Sequence, residues 1–177
     1  MEFGVPTEIR DRERRVALTP SGVLSLKRAG HTVYIEHEAG AEAGFADDEY
    51  RDAGGQIVYS AAEAYGRADV VVKVARPTAE EHDLFRRGQT IFSFFYLPVA
   101  SSDIIHALEE RQVTAIAFEM IQEDDGRQTV LLPTSEVAGR LAPIIAGRML
   151  MNDRGGRGVL LSGIPGVPPA AVVVIGA

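Results

Sequence analysis

The sequence predicts an α/β fold: a mainly parallel sheet with helices on both faces, followed by a long connecting helix and the first strand of a second domain. Three observations carry this prediction. Short apolar runs alternate with segments of helical period, as βα units require. Two runs, 70–74 and 171–175, are almost continuously apolar, the signature of strands covered on both faces. Beyond Phe118 the short alternation gives way to a charged connection and one longer helical pattern.

The elements follow in order. Residues 2–6 form the first apolar run. A polar loop over 7–15 leads to Thr19-Pro20, an N-cap and N1 pair for a helix over 21–29, and Gly30 supplies its stop. Residues 31–36 alternate as a strand, and 39–46 is a small-residue loop. A short helix over 47–53 is closed by Gly54-Gly55, and a strand over 56–59 and a helix over 61–67 come next. The strand 70–74 is interrupted only by Lys73. Pro77 stops it, and Thr78-Ala79-Glu80-Glu81 opens another helix. Strand 90–95, helix 102–110 and strand 113–118 complete the alternation. Residues 122–128 are the charged connection. Pro133-Thr134-Ser135-Glu136 starts the long helix, which runs through Met151 with Val137, Leu141, Ile144, Ile145 and Met149 at helical spacing. Pro143 lies inside it, where a kink or break is expected. A Gly- and Pro-rich stretch precedes Ala171-Val172-Val173-Val174-Ile175-Gly176-Ala177. There is no internal repeat and no low-complexity tract.

Composition narrows the function classes. The chain is 46% hydrophobic and 24% charged, ordinary for a globular protein. Its net charge of −7 argues against nucleic acid, which requires a basic face. No run approaches the roughly 20 apolar residues of a membrane helix, so membrane insertion is not expected. The N-terminus carries no basic-then-apolar leader pattern, and cysteine is absent, which removes disulfides and thiolate metal ligands and fits a cytoplasmic location. His31, His37, His82 and His106 show no metal-ligand spacing, so no metal is expected. Of the 18 basic residues only Lys27 and Lys73 are lysines. A chain that otherwise uses arginine has little generic reason to place a lysine inside an apolar strand.

The last run adds a weaker signal. An apolar strand ending in Gly-x begins the glycine fingerprint in which backbone approaches a pyrophosphate at a helix N-terminus. Gly176 is then the first cofactor-contacting glycine. A parallel strand without its following helix would lack cover on its apolar faces, so the chain reads as interrupted where a nucleotide-binding motif starts. From spacing alone this ending suits any βα strand.

Several segments, in collinear order over nearly the whole chain, resemble the alanine dehydrogenase and pyridine-nucleotide transhydrogenase family. They are Val5-Pro6-Thr7-Glu8 with Arg14-Arg15-Val16-Ala17-Leu18-Thr19-Pro20; Ala39-Gly40 to Gly44-Phe45; Val72-Lys73-Val74; Ser135-Glu136-Val137-Ala138-Gly139-Arg140; and Gly163-Ile164-Pro165-Gly166-Val167-Pro168-Pro169. The resemblance implies a subunit of two Rossmann-like domains with a cleft between them. It divides the chain into 1–134, the N-terminal part of a catalytic, substrate-binding domain; 135–154, a linking helix; and 155–177, the start of a dinucleotide-binding domain.

It also assigns roles. By residue type alone, Arg15 reads as a solvated charge beside Arg10, Arg12 and Arg14. The resemblance makes it the guanidinium fork that grips a substrate carboxylate, a bidentate match lysine lacks. Lys73, near the carboxyl end of its strand, reads either as a lysine snorkelling to water or as a buried cation in need of a carboxylate or carbonyl ligand. The resemblance makes it the group that polarises the reacting carbon. Tyr96 stands where alanine dehydrogenases carry a histidine suited to proton transfer, so the resemblance places it at the catalytic acid/base position with altered chemistry, and Pro98 follows as in transhydrogenases. A tyrosine, with an ordinary pKa of roughly 10, serves as a donor or a pocket wall more readily than as a base. Ser135 reads as part of an N-cap region or, by resemblance, as a contact to the cofactor. Glu119 faces the same edge as a group that orients the pocket or as a surface carboxylate.

The function implied is the substrate-side half of a nicotinamide-dependent L-amino-acid dehydrogenase. It would use NAD, with NADP left open, act on a small amino acid and its 2-oxo acid, and assemble as a homo-oligomer. Its rivals are the NAD(H)-binding component of a proton-translocating transhydrogenase, a saccharopine-type dehydrogenase, and a non-catalytic homologue.

Overall fold

In the computed structural model, which describes residues 1–175, β1 (Glu2–Val5) lies inside a six-stranded sheet with the order β3-β2-β1-β4-β5-β6. The other strands are β2 (Thr32–Glu36), β3 (Gln56–Val58), β4 (Val70–Ala75), β5 (Thr90–Phe94) and β6 (Thr114–Ala117), and every pairing is parallel. The chain winds outward from β1 to β3, crosses back to β4, and winds the other way. The reversal between β1 and β4 opens a crevice at their carboxyl ends, where open α/β sheets bind ligands. These two strands pair only at Phe3↔Val70 and Gly4↔Val71, so their later residues have no ladder between them.

The crossovers are α1 (Pro20–Arg28), α2 (Asp47–Asp52), α3 (Ala61–Arg67) and α4 (Ser102–Glu110). α1 begins as expected: Thr19 Oγ1 accepts from the Gly22 N–H at 3.3 Å with Pro20 at its first position. It ends with Gly30 at φ 83° and the His31 N–H on the Leu26 carbonyl, the left-handed exit that glycine allows. α3 is capped by Ser60 Oγ, which accepts from the Glu63 N–H. The period-two alternation of β2 places helices on both faces. Val33 and Ile35 pack with Val5, Val23 of α1 and Tyr50 of α2, while Tyr34 packs with Ala64 of α3. β4 is buried at every position, in keeping with a central parallel strand.

Three expectations change. Residues 79–84 form a 3₁₀ turn (Ala79–Leu84), not an α-helix; the Glu81 side chain bends back to the Thr78 N–H at 2.8 Å and is drawn into the core, so local propensity yields to a tertiary contact. The long helix α5 (Leu132–Met149) continues through Pro143 without the break allowed for there, since a proline removes one N–H while the turns around it keep theirs. The run 171–175 forms no strand among the described residues, and Ile175 is 94% exposed. A strand needs a hydrogen-bonding neighbour, and the β pairing described beyond β6 is a single Ile164↔Val167 bridge.

The chain divides into two compact units, Met1–Met120 and Ile121–Ala177. The first holds the sheet and all three buried clusters. In the second, α5 buries none of its residues, and Val137, Ile144 and Met149 are exposed. No helix among the described residues is long and apolar enough to cross a membrane.

Candidate active site

The crevice between β1 and β4 is where the charged groups of the first unit converge. The β4–β5 register shifts between Val72 and Ala75, and Lys73 and Val74 sit at that irregularity. Such bulges re-aim side chains, commonly next to active sites. Val74 has no ladder partner toward β1; its N–H donates instead to Glu8 Oε1 at 2.6 Å. Glu8 belongs to the loop after β1, so this bond ties the two sides of the crossover together.

Lys73 is 1% exposed. Its Nζ lies 2.8 Å from Glu81 Oε1 and 3.2 Å from Glu8 Oε2. Both separations are those of close charge-assisted contacts. Glu81 is the better-anchored carboxylate: Oε1 also accepts from the Tyr65 hydroxyl at 3.0 Å and Oε2 from the Thr78 N–H. Two carboxylates thus surround one ammonium in a buried place. A net negative charge there is expensive. Burial pushes the Glu8 carboxyl above its ordinary 4.5, with Lys73 opposing and Glu81 adding to the rise. Burial and the neighbouring Glu81 likewise hold the Tyr65 phenol well above 10.0.

Arg15 comes from the irregular loop between β1 and α1. It binds Glu13 through Nε at 2.8 Å and Nη2 at 2.7 Å, and its backbone N–H reaches the same carboxylate at 3.1 Å. The hydrogen bond to Glu13 raises the Arg15 pKa, and the Glu8 carboxyl acts on it in the same sense.

Tyr96 ends β5 in the left-handed region, φ 45° and ψ 49°, a conformation uncommon for a bulky residue. Its surroundings over-determine it. Glu119 accepts from the Phe95 N–H at 3.2 Å and the Tyr96 N–H at 2.6 Å, while Arg76 Nη1 donates to the Phe95 carbonyl at 2.9 Å. The ring stacks on Phe94 at 5.9 Å, leaving Tyr96 43% exposed.

Of the residues singled out from the sequence, Arg15, Lys73, Tyr96 and Glu119 lie in the first unit, the first three around this crossover. Ser135 lies on α5 in the second unit and is exposed. Gly176 lies outside the described residues. The sequence reading missed Glu8, Glu13, Glu81, Tyr65 and Arg76. Two of these left a signal. A lone lysine in a buried strand demands counter-ions, and Thr78 to Glu81 has the spacing of a capping box, which brings a glutamate to the turn beside β4. No group of three or more histidines or carboxylates among the described residues is arranged to hold a metal ion.

The family model "Alanine dehydrogenase/PNT, N-terminal domain" matches residues 4–138, and "Alanine dehydrogenase/PNT, C-terminal domain" matches 142–177. The chain belongs to the alanine dehydrogenase/PNT family. It is 46% identical over 177 residues to an alanine dehydrogenase of Mycobacterium tuberculosis, covering 100% of this chain and 47% of that protein. It is 42% identical over 176 residues to that of Methanococcus maripaludis, again 47% of the relative. Among solved structures, an L-alanine dehydrogenase superposes with a TM-score of 0.85 at 46% identity, over 96% of this chain and 46% of the other. A transhydrogenase from Sinorhizobium meliloti is more distant, with a TM-score of 0.64 at 31% identity over 70% of this chain and 36% of the other. The chain thus spans about half the length of the curated relatives it matches.

Proposed function

We propose that this chain is the substrate-side half of a nicotinamide-dependent L-amino-acid dehydrogenase that oxidatively deaminates a small amino acid, alanine first among them, to its 2-oxo acid. The observation that carries this reading is Lys73: a fully buried lysine at the crossover of a parallel sheet, paired with Glu8 of the same β1–α1 loop that carries the exposed Arg15. Arg15 takes the substrate carboxylate and fixes its orientation. Lys73, flanked by Glu8 and Glu81, faces the reacting carbon's oxygen or nitrogen and stabilises the charge that develops there. Tyr96, whose backbone is clamped by Glu119, presents a phenol at the exposed rim and lines the pocket or donates a hydrogen bond. NAD, with NADP as the variant to compare, supplies the hydride acceptor when bound. The exposed start of α5 leaves Ser135 open to a cofactor contact. The intact protein acts as a cytoplasmic homo-oligomer.

The test is NADH formation by the full-length protein with a panel of L-amino acids. Turnover with L-alanine is expected, and Lys73→Ala should lower it by at least about 100-fold. Because that substitution leaves two carboxylates without their cation, it is paired with Lys73→Ala/Glu81→Gln, which restores the charge count and should be equally inactive. Hydride exchange between nucleotides without any amino-acid turnover would instead establish the transhydrogenase reading, which Tyr96-Leu97-Pro98 favours.

A further inference from the structure

The loop that carries Arg15 has neither helix nor strand over residues 6–19. An arginine on such a loop would sample many rotamers, and a planar fork is useful only when its plane is set. The chain sets it locally. A turn with the Glu13 N–H on the Arg10 carbonyl, and Arg12 at φ 61°, brings the Glu13 carboxylate against residue 15. That carboxylate then takes three donors from the one residue: Nε, Nη2 and the backbone N–H.

The geometry divides the guanidinium in two. The Nε–Nη2 edge is filled by Glu13, whose side chain is only 12% exposed, whereas the arginine side chain is 53% exposed. One Nη1 proton and the second Nη2 proton make up the end-on edge, which meets a carboxylate in a bidentate manner. Hydrogen bonding from Arg15 lowers the Glu13 pKa below its ordinary value, so Glu13 remains a carboxylate throughout the neutral range. The pair carries no net charge. It therefore exerts little long-range pull on anions in general and retains the short-range match to a planar carboxylate.

We propose that Glu13 is a positioning residue of the carboxylate seat: it clamps one edge of the Arg15 guanidinium and presents the other edge to the substrate, which makes the seat selective for carboxylates over simple anions. This rests on the reading of Arg15 as the substrate's carboxylate partner. The experiment uses the full-length protein, with steady-state kinetics on L-alanine and calorimetric binding of pyruvate for Arg15→Ala, Glu13→Ala, Glu13→Gln and Glu13→Asp. Arg15→Ala should raise KM and weaken pyruvate about 100-fold, the scale of a charge-assisted pair. Glu13→Ala should raise both about 10-fold with kcat changed less than about 2-fold, and Glu13→Gln, which keeps one acceptor, should fall between. Glu13→Asp should recover part of the loss. If Arg15→Ala leaves KM and pyruvate binding unaltered, the reading of Arg15 is wrong. If Arg15→Ala has its effect but Glu13→Ala leaves KM unchanged, the pair is only a surface contact and the proposal is overturned. A fall in KM for Glu13→Ala also overturns it, because Glu13 would then be an internal competitor for the seat.

Discussion

At the residue scale, the buried group of Lys73, Glu8, Glu81 and Tyr65 behaves as a charge-balancing unit, and its two carboxylates are not equivalent. Glu81 accepts from Tyr65 and Thr78 as well as facing Lys73; Glu8 has one backbone donor and the more distant contact to the ammonium. Folding raises the pKa of Glu8. A carboxyl raised in this way contributes stability that is fully present below its ordinary value and is lost as pH rises through the folded value. Above that window its ionisation opposes folding. Glu8→Gln should therefore be at least as stable as the parent at pH 7 in urea denaturation, with the difference closing as pH falls toward 4.5, the ordinary value. Glu81→Gln should behave oppositely and lose about 1–3 kcal/mol at pH 7, since it takes an acceptor from Tyr65 or Thr78 and turns an amide donor toward Lys73. A loss of several kcal/mol in Glu8→Gln at neutral pH would refute this ranking of the pair.

At the element scale, the site depends on how closely α3 and β4 approach β1. Gly4 is the point of closest packing: a Cβ there would sit 2.3 Å from the Ala64 carbonyl oxygen and 2.8 Å from the Ala68 Cβ. Neither neighbour is a flexible side-chain end, so α3 would have to move away from the sheet. Gly4→Ala is expected to cost about 1–3 kcal/mol by the usual scale of overpacking, seen as a lower Tm, and a neutral result would show that α3 shifts freely. The irregular β4–β5 register and the clamped turn at Phe95-Tyr96 work on the same scale. Each breaks regular structure at a carboxyl end of the sheet and uses the break to aim a side chain, with the cost met by fixed partners such as Glu119 and Arg76.

At the scale of the whole molecule, the two units differ in what they can do alone. The first has a closed set of cores on both faces of its sheet. Residues 121–177 leave the apolar positions of α5 exposed, Ile144 at 67% and Met149 at 69%. A chain of about 120 residues buries enough surface to fold by itself, so a protein of residues 1–120 should unfold cooperatively on heating and show dispersed amide resonances. Residues 121–177 in isolation should show neither. Loss of cooperative unfolding in 1–120 would mean that the second unit contributes to the core of the first.

Whereas Arg15 and Tyr96 stood out only through the family resemblance, the sequence by itself determined the parallel α/β class, the places of most elements and the anomaly of Lys73. Those features are written locally: in periodicity, in caps such as Thr19-Pro20 and Gly30, and in an anomalous lysine within an apolar strand. The tertiary structure alone decided the partners. Glu8 and Glu81 meet Lys73 from loops 65 and 8 residues away in the chain, and Glu119 reaches Tyr96 across 23 residues. It also decided that 79–84 tightens into a 3₁₀ turn and that 171–175 pairs with no strand. The physical reason is the same in each case. A buried charge or an open backbone edge must find its complement in space, and the order of residues along the chain does not say which group will arrive there.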